Sequence, residues 1–187
     1  ASRAARPTLT PQKPDPRNQT SKDAPMPAGP DFMRPLRAGE EEMAEALLKA
    51  AFPGPAEAAL VRALRAAGQI ELEMVLPWGT GLAGYLALSR LTAPEGWLAL
   101  APVAIAPDWQ GQRWGTRFVT GVAKLAAIKG QTLVVLGKPS FYTRCGFSHP
   151  RAARLASPYG TDQTLIARPG DDSPDAPLIY PAAFQGL

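Results

Sequence analysis

The sequence predicts an α/β (α+β) fold, because a strand–helix–strand unit follows an antiparallel hairpin. Two uncharged apolar runs, residues 98–105 and 132–136, are typical of strands buried on both faces. Between them, apolar residues recur at three- and four-residue spacing over residues 116–128, which indicates a helix. Strand, helix and strand in this order form a parallel crossover. Residues 69–76 and 82–91 read as the two strands of the hairpin.

In the first hairpin strand, successive side chains alternate regularly between the two faces of the sheet. This alternation places Ile70, Leu72, Met74 and Leu76 on one face, and Glu71, Glu73 and Val75 on the other. The remaining elements are predicted in chain order: a short strand near 32–37, helices over 39–51 and 56–67, a short helix over 139–144, a strand over 164–168, and a C-terminal segment, 178–184, that packs back on the sheet.

Length and composition limit the class of protein. A chain of 187 residues suggests one folded domain. The single cysteine, Cys145, excludes an intrachain disulfide framework and favours a reducing compartment. No apolar run approaches the roughly 18 residues that cross a bilayer. We therefore expect a cytoplasmic protein without a membrane partner.

The N-terminal residues differ in composition from the rest. Residues 1–31 are rich in proline and poor in large apolar side chains, so we expect a basic tail that is extended or disordered. Residues 1–30 carry five basic residues against two acidic ones, whereas the remainder carries fifteen against fourteen. The nearly neutral domain, 32–187, makes a nucleic-acid partner unlikely. A protein partner for residues 1–30 remains possible.

The turn at residues 110–115 predicts an anion site. It connects a strand to a helix whose first N–H groups lack partners within the helix. Arg113 and Arg117 are four positions apart at the positive end of this helix, an arrangement that a bound phosphate would stabilise. The alternative is that both arginines simply point into water.

These residues resemble a known family. Residues 103–115 are similar to the acyl-CoA-binding segment of the GCN5-related N-acetyltransferases (GNAT), whose pattern is Gln/Arg-x-x-Gly-x-Gly/Ala. Gln110 and Gly115 match this pattern, and Arg113 stands where the first glycine is usual. Tyr142-Thr-Arg-Cys-Gly-Phe147 matches a Tyr-x-x-x-Gly-Phe element of the family. Residues 136–142 and 179–187 resemble the bacterial subgroup called YhbS-like.

The resemblance implies a GNAT fold, with a mixed, mostly antiparallel central sheet that is splayed at the acyl-CoA site and has helices on both faces. It implies acetyl-CoA as co-substrate, no metal, a primary amine of unknown identity as acceptor, and Tyr142 as general acid. The implied cofactor-binding residues are Val103, Ala104, Ile105, Gln110, Gly111, Gln112, Arg113, Trp114, Gly115 and Thr116. The loops implied to line the acceptor pocket are 52–55, 78–81 and 148–159.

Several points remain open from the sequence. Asp108, Glu73, Glu95 and His149 are candidates for a general base, and none stands out. The side chain of Arg113 blocks the approach of phosphate, or contacts it directly if the local φ is negative.

The alternative to an enzyme is an inactive or cofactor-poor GNAT-fold interaction module that docks to a larger assembly through its N-terminal tail. In a third interpretation, the N-terminal tail brings an active enzyme to nucleic acid or to an acidic protein surface. An enzyme requires Tyr142 beside an open cleft, whereas a scaffold tolerates a plugged one.

Overall fold

The computed structural model describes residues 29–30 and 32–186. The predicted tail therefore lies almost wholly outside the described residues. The strands are β1 (Arg34–Pro35), β2 (Ile70–Trp78), β3 (Gly81–Arg90), β4 (Trp97–Ile105), β5 (Thr132–Leu136), β6 (Leu155–Ala156), β7 (Thr164–Ala167) and β8 (Ala176–Pro177). The helices are α1 (Glu41–Ala51), α2 (Ala56–Ala66), α3 (Trp114–Ile128) and α4 (Pro139–Tyr142).

Six strands form the central sheet, in the order β1-β2-β3-β4-β5-β7. Neighbouring strands are antiparallel except β4 and β5, which are parallel and joined through α3. Strands β6 and β8 form a separate parallel pair. The predicted hairpin and the predicted crossover are both confirmed.

Helices cover both faces of the sheet, as predicted. On one face, α3 buries Phe118, Val119 and Val122 against alternate side chains of the strands. On the other face, α1 and α2 bury Leu48 and Val61. The alternation of strand side chains between the two cores explains why the central strands are apolar on both faces.

One face assignment in the hairpin was wrong. Ile70 packs with residues of α1 and α2, whereas Leu72, Met74 and Leu76 face α3. A register shift between Ile70 and Leu72 causes this, because two residues of β2 advance the pairing by only one residue of β3. An extra residue in one strand reverses the side-chain alternation beyond it.

Strands β4 and β5 diverge after a short paired stretch. Their ladder runs from Trp97 to Ala99 on β4 and ends there, although β4 continues to Ile105. A bulge at Ala101 and Pro102 separates the pairing of β4 with β3 into two segments, and proline has no N–H to donate to a neighbouring strand. The sheet is therefore splayed, as the resemblance implied.

The C-terminal segment packs back on the sheet, as predicted. Leu178 and Phe184 are buried in a core that includes Leu60 of α2 and Val134 of β5. In the part of the chain that the structure describes, no helix is both long and apolar enough to cross a membrane.

Candidate active site

The splayed strands open a cleft of about 490 Å³ between β4, the start of α3, and α4. Eight of the ten predicted cofactor-binding residues line it: Val103, Ala104, Ile105, Gln110, Gly111, Arg113, Gly115 and Thr116. Tyr142 lines the same cleft. The segments that carry the family resemblance are therefore brought together in one cleft.

Side-chain hydrogen bonds hold the turn before α3 in place. The Gln110 side-chain amide donates to the Ile105 carbonyl oxygen at 2.9 Å, and that of Gln112 donates to the Asp108 carbonyl oxygen at 2.8 Å. Within the described residues, the backbone N–H groups of positions 111–116 make no hydrogen bond. These donors, together with the positive end of the α3 dipole, suit an anionic ligand.

Arg113 adopts the conformation that glycine normally takes. Its φ is +66°, in the left-handed region, directly before the first turn of α3. The condition under which we expected its side chain to contact phosphate, a negative φ, is therefore not met. The chain keeps the backbone path of a glycine at the cost of local strain, which is about 1–2 kcal/mol for an ordinary residue.

Charge in the cleft is uniformly positive. Arg113 and Arg144 are the ionisable side chains with formal charge among its lining residues, and no carboxylate of the described chain lines it. Arg144 was not predicted. It occupies a variable position of the Tyr142–Phe147 motif, so the pattern gave no reason to select it.

Two predicted residues lie elsewhere. The Gln112 and Trp114 side chains are not among those lining the cleft; Trp114 instead lines a groove with Met33 and Arg117. The Arg117 guanidinium lies 4.8 Å from the centre of the Trp114 ring. Arg113 lines the cleft and Arg117 does not, so the structure does not bring the two arginines together there.

Tyr142 ends α4 and is held by aromatic packing. Its ring meets Phe141 and Phe147 edge-on, with centroids 4.9 and 5.7 Å away. Burial, assisted by the neighbouring Cys145 thiol, raises the pKa of Tyr142 to about 12. Its hydroxyl makes no hydrogen bond within the described part of the chain and is therefore available as a donor.

None of the four candidate general bases lines the cleft. Glu73 is paired with Arg65 at 2.6 Å and accepts a hydrogen bond from Tyr85. His149 Nε2 lies 3.2 Å from the Thr161 carbonyl oxygen, and the Asp108 side chain is exposed. Glu95 precedes β4, at the opposite end of that strand from the cleft.

Cys145 is buried, and burial raises the pKa of its thiol. This is consistent with the predicted role in packing, since a reactive cysteine is an exposed thiolate. Among the described residues, no cluster of three or more histidine, cysteine or acidic side chains is placed to hold a metal ion.

A second depression of about 350 Å³ adjoins the cleft and shares Phe52, Val103 and Tyr142 with it. Glu57 of α2 lines this depression. Sequence reasoning did not select Glu57, because a glutamate in the first turn of a helix is ordinarily explained by the helix dipole. Its position becomes evident only in the folded chain, where α2 and the bulge of β4 line the same depression.

Comparisons with known proteins agree with this geometry. A model of the acetyltransferase (GNAT) family matches residues 41–147. The uncharacterized N-acetyltransferase YhbS of Escherichia coli strain K12 is 33% identical over 108 residues, or 55% of this chain and 65% of that protein. The match thus spans just under two thirds of the length of that curated relative.

Two solved structures are similar over most of the fold. The structure of YhbS from Escherichia coli in complex with CoA has a TM-score of 0.77 and 27% identity, covering 85% of this chain and 94% of that one. A GNAT family acetyltransferase from Brucella melitensis, in complex with acetyl-CoA, has a TM-score of 0.67 and 27% identity, covering 82% and 97%.

Proposed function

The chain belongs to the acetyltransferase (GNAT) family, and from this premise we propose that it moves an acetyl group from acetyl-CoA to a primary amine. One observation carries the proposal. The cleft beside Tyr142 is open and is lined by Arg113, Arg144 and a turn whose backbone N–H groups make no hydrogen bond within the described residues. This combination suits a thioester that bears a pyrophosphate.

The residues of the cleft fit acetyl-CoA in two ways. The N–H groups of the turn at 110–116, with the Arg144 side chain that lines the same cleft, suit the pyrophosphate. Beyond Ala99, the edge of β4 is not paired with β5. The backbone groups of Val103 and Ala104 on this unpaired edge suit the amides of the pantetheine arm, as an added strand would. The Ile105 carbonyl oxygen is already bonded to the Gln110 side chain.

We assign the role of general acid to Tyr142. The raised pKa keeps the phenol protonated at neutral pH, so an O–H is always present to stabilise the departing thiolate. Acyl transfer between neighbouring sites also gains from the orientation of the reactants. The position of Tyr142, between the cleft and the second depression, supports this role.

The open cleft favours an enzyme over the inactive interaction module, which would tolerate a plugged one. Complexes with CoA and acetyl-CoA in the two similar structures support the same choice. A cytoplasmic location, a protein partner for residues 1–30 and delivery by the tail to nucleic acid or an acidic surface stay predictions.

The proposal is tested by incubating the purified chain with acetyl-CoA and a panel of primary amines. Release of free CoA thiol and formation of the N-acetyl product by mass spectrometry are the two readouts. We expect both to depend on the amine and to rise together. Bound acetyl-CoA with no acetylated product across the panel would overturn the proposal.

A further inference from the structure

The depression that shares Tyr142 with the cleft has a distinct chemical character. Its walls come from α2, the bulge of β4, and the C-terminal segment. Four aromatic rings line it, from Phe52, Tyr142, Tyr159 and Phe184. The Tyr159 hydroxyl donates to the Phe184 carbonyl oxygen at 2.9 Å, which fixes this wall to the C-terminal segment. Two of the loops predicted to line an acceptor pocket contribute to this depression, through Phe52 and Tyr159, whereas Trp78 of the third loop packs on Trp109.

A single formal charge faces this apolar surface. Glu57 is the one ionisable carboxylate among the lining residues, and no arginine or lysine of the described chain lines the depression. The Glu57 side chain is half-buried and has no ion pair or hydrogen bond within the described residues. A carboxylate placed against aromatic rings binds a cation more readily than any neutral or anionic group.

We infer that this depression is the acceptor site, and that Glu57 selects a primary amine with one positive charge and an apolar or aromatic body. This inference rests on the proposed acetyl transfer. The ammonium group pairs with Glu57, and the body of the molecule packs on Leu60, Leu100 and Phe184. The volume of about 350 Å³ lies at the lower end of the range for small-molecule sites.

The same features disfavour other amines. An amine that also carries a carboxylate brings a second negative charge towards Glu57. A polyamine leaves additional charges unpaired against apolar walls, which is costly. The selected class is therefore a monoamine without an acidic group.

The reaction balances with the groups present. The ammonium first loses one proton to solvent, and the neutral nitrogen forms the C–N bond with the acetyl carbon while the C–S bond breaks. The thiolate takes the proton of Tyr142. The nitrogen then loses its second proton, which restores the phenol through solvent. The products are an amide, a thiol and one released proton.

The test compares three probes of related structure: 2-phenylethylamine, phenylalanine and spermidine. We expect kcat/KM for 2-phenylethylamine to exceed that for the other two by tenfold or more. Equal or better use of phenylalanine or spermidine would overturn the inference while leaving acetyl transfer intact. No acetylation of any amine, with acetyl-CoA bound, would overturn the proposed function and this inference together.

Variants isolate the role of Glu57. We expect Glu57→Gln to raise KM for 2-phenylethylamine at least tenfold and to leave KM for acetyl-CoA unchanged. Glu42→Gln is the matched control, because Glu42 is also in the first turn of its helix but lies exposed on α1. Glu57→Lys is expected to shift preference towards phenylalanine.

A binding measurement keeps the inference falsifiable without turnover. In the presence of CoA, 2-phenylethylamine should raise the thermal unfolding midpoint of the native chain and of Glu42→Gln, but not of Glu57→Gln. An equal shift in Glu57→Gln would contradict the assignment. Circular dichroism of each variant establishes that it is folded.

Discussion

Arg113 holds a left-handed backbone conformation that costs an ordinary residue about 1–2 kcal/mol. Arg113→Gly should therefore raise the free energy of unfolding by about 1 kcal/mol. Urea unfolding at neutral pH measures this change. Arg113→Ala is the control, because it removes the charge but keeps the Cβ. An equal gain in the alanine variant would mean that charge repulsion, and not backbone strain, is relieved.

The raised pKa of Tyr142 predicts how kcat depends on pH. A group with a pKa of about 12 holds its proton below that pH and loses it only as the pH rises through that value. The kcat of the native enzyme should therefore not fall between pH 7 and about pH 10, the pH at which an ordinary tyrosine is half ionised. A descending limb centred below pH 10 that is absent from Tyr142→Phe would contradict this assignment.

Removal of the same hydroxyl tests its role in the reaction. Tyr142→Phe should lower kcat by about 10²-fold, the contribution usual for a general acid, with little change in KM for acetyl-CoA. Steady-state kinetics on the two enzymes provide the measurement. An unchanged kcat would remove Tyr142 from the mechanism.

At the scale of elements, the end of β5 sets the position of α4. A Cβ added at Gly137 would lie 2.4 Å from Cε2 of Tyr142, so the ring must move if this glycine is replaced. Gly137→Ala should reduce kcat about tenfold or more through displacement of the acid. Steady-state kinetics on the variant would measure this.

Gly81 gives the matched control at the start of β3, because it does not line the cleft. A Cβ there would lie 3.9 Å from the Trp78 carbonyl oxygen, an ordinary contact. Gly81→Ala should therefore keep nearly full activity. If both variants behaved alike, crowding of Tyr142 would not explain the loss.

The spacing of apolar residues along the chain was enough to predict most helices and strands, because that spacing is regular within each of them. The crossover from β4 through α3 to β5 follows from that spacing and from the stop at the turn. The positions of β-bulges could not be predicted from this spacing. The register shift beside Ile70 reversed the predicted face of that residue, and it depends on pairing with β3, which a single strand does not encode.

Side-chain direction limited what could be predicted of the site. The turn and Tyr142 were recognised from motifs, and the structure places them in one cleft. The stacking of Arg117 on Trp114 and the approach of Glu57 to the second depression depend on contacts between distant elements. Sequence spacing within one helix carries no information about either.

At the scale of the whole molecule, the described cleft is built from residues 51–144. Deletion of residues 1–28 should therefore leave acetyl transfer within experimental error of the full chain, and kinetics on the two forms would measure it. Gly29 is retained because it packs against the Trp114 ring, beside the turn. A large loss of turnover in the truncated chain would show that the tail belongs to the catalytic unit.

The most direct test of the account is isothermal titration of acetyl-CoA into the purified native chain, beside Arg113→Gly. We predict one-to-one binding in the micromolar range by the native chain, because the N–H groups of the turn make no hydrogen bond within the described residues and Arg144 lines the same cleft. Absence of binding by the native chain would contradict the account. Recovery of binding in Arg113→Gly alone would identify the arginine as the reason that the fold has lost its co-substrate.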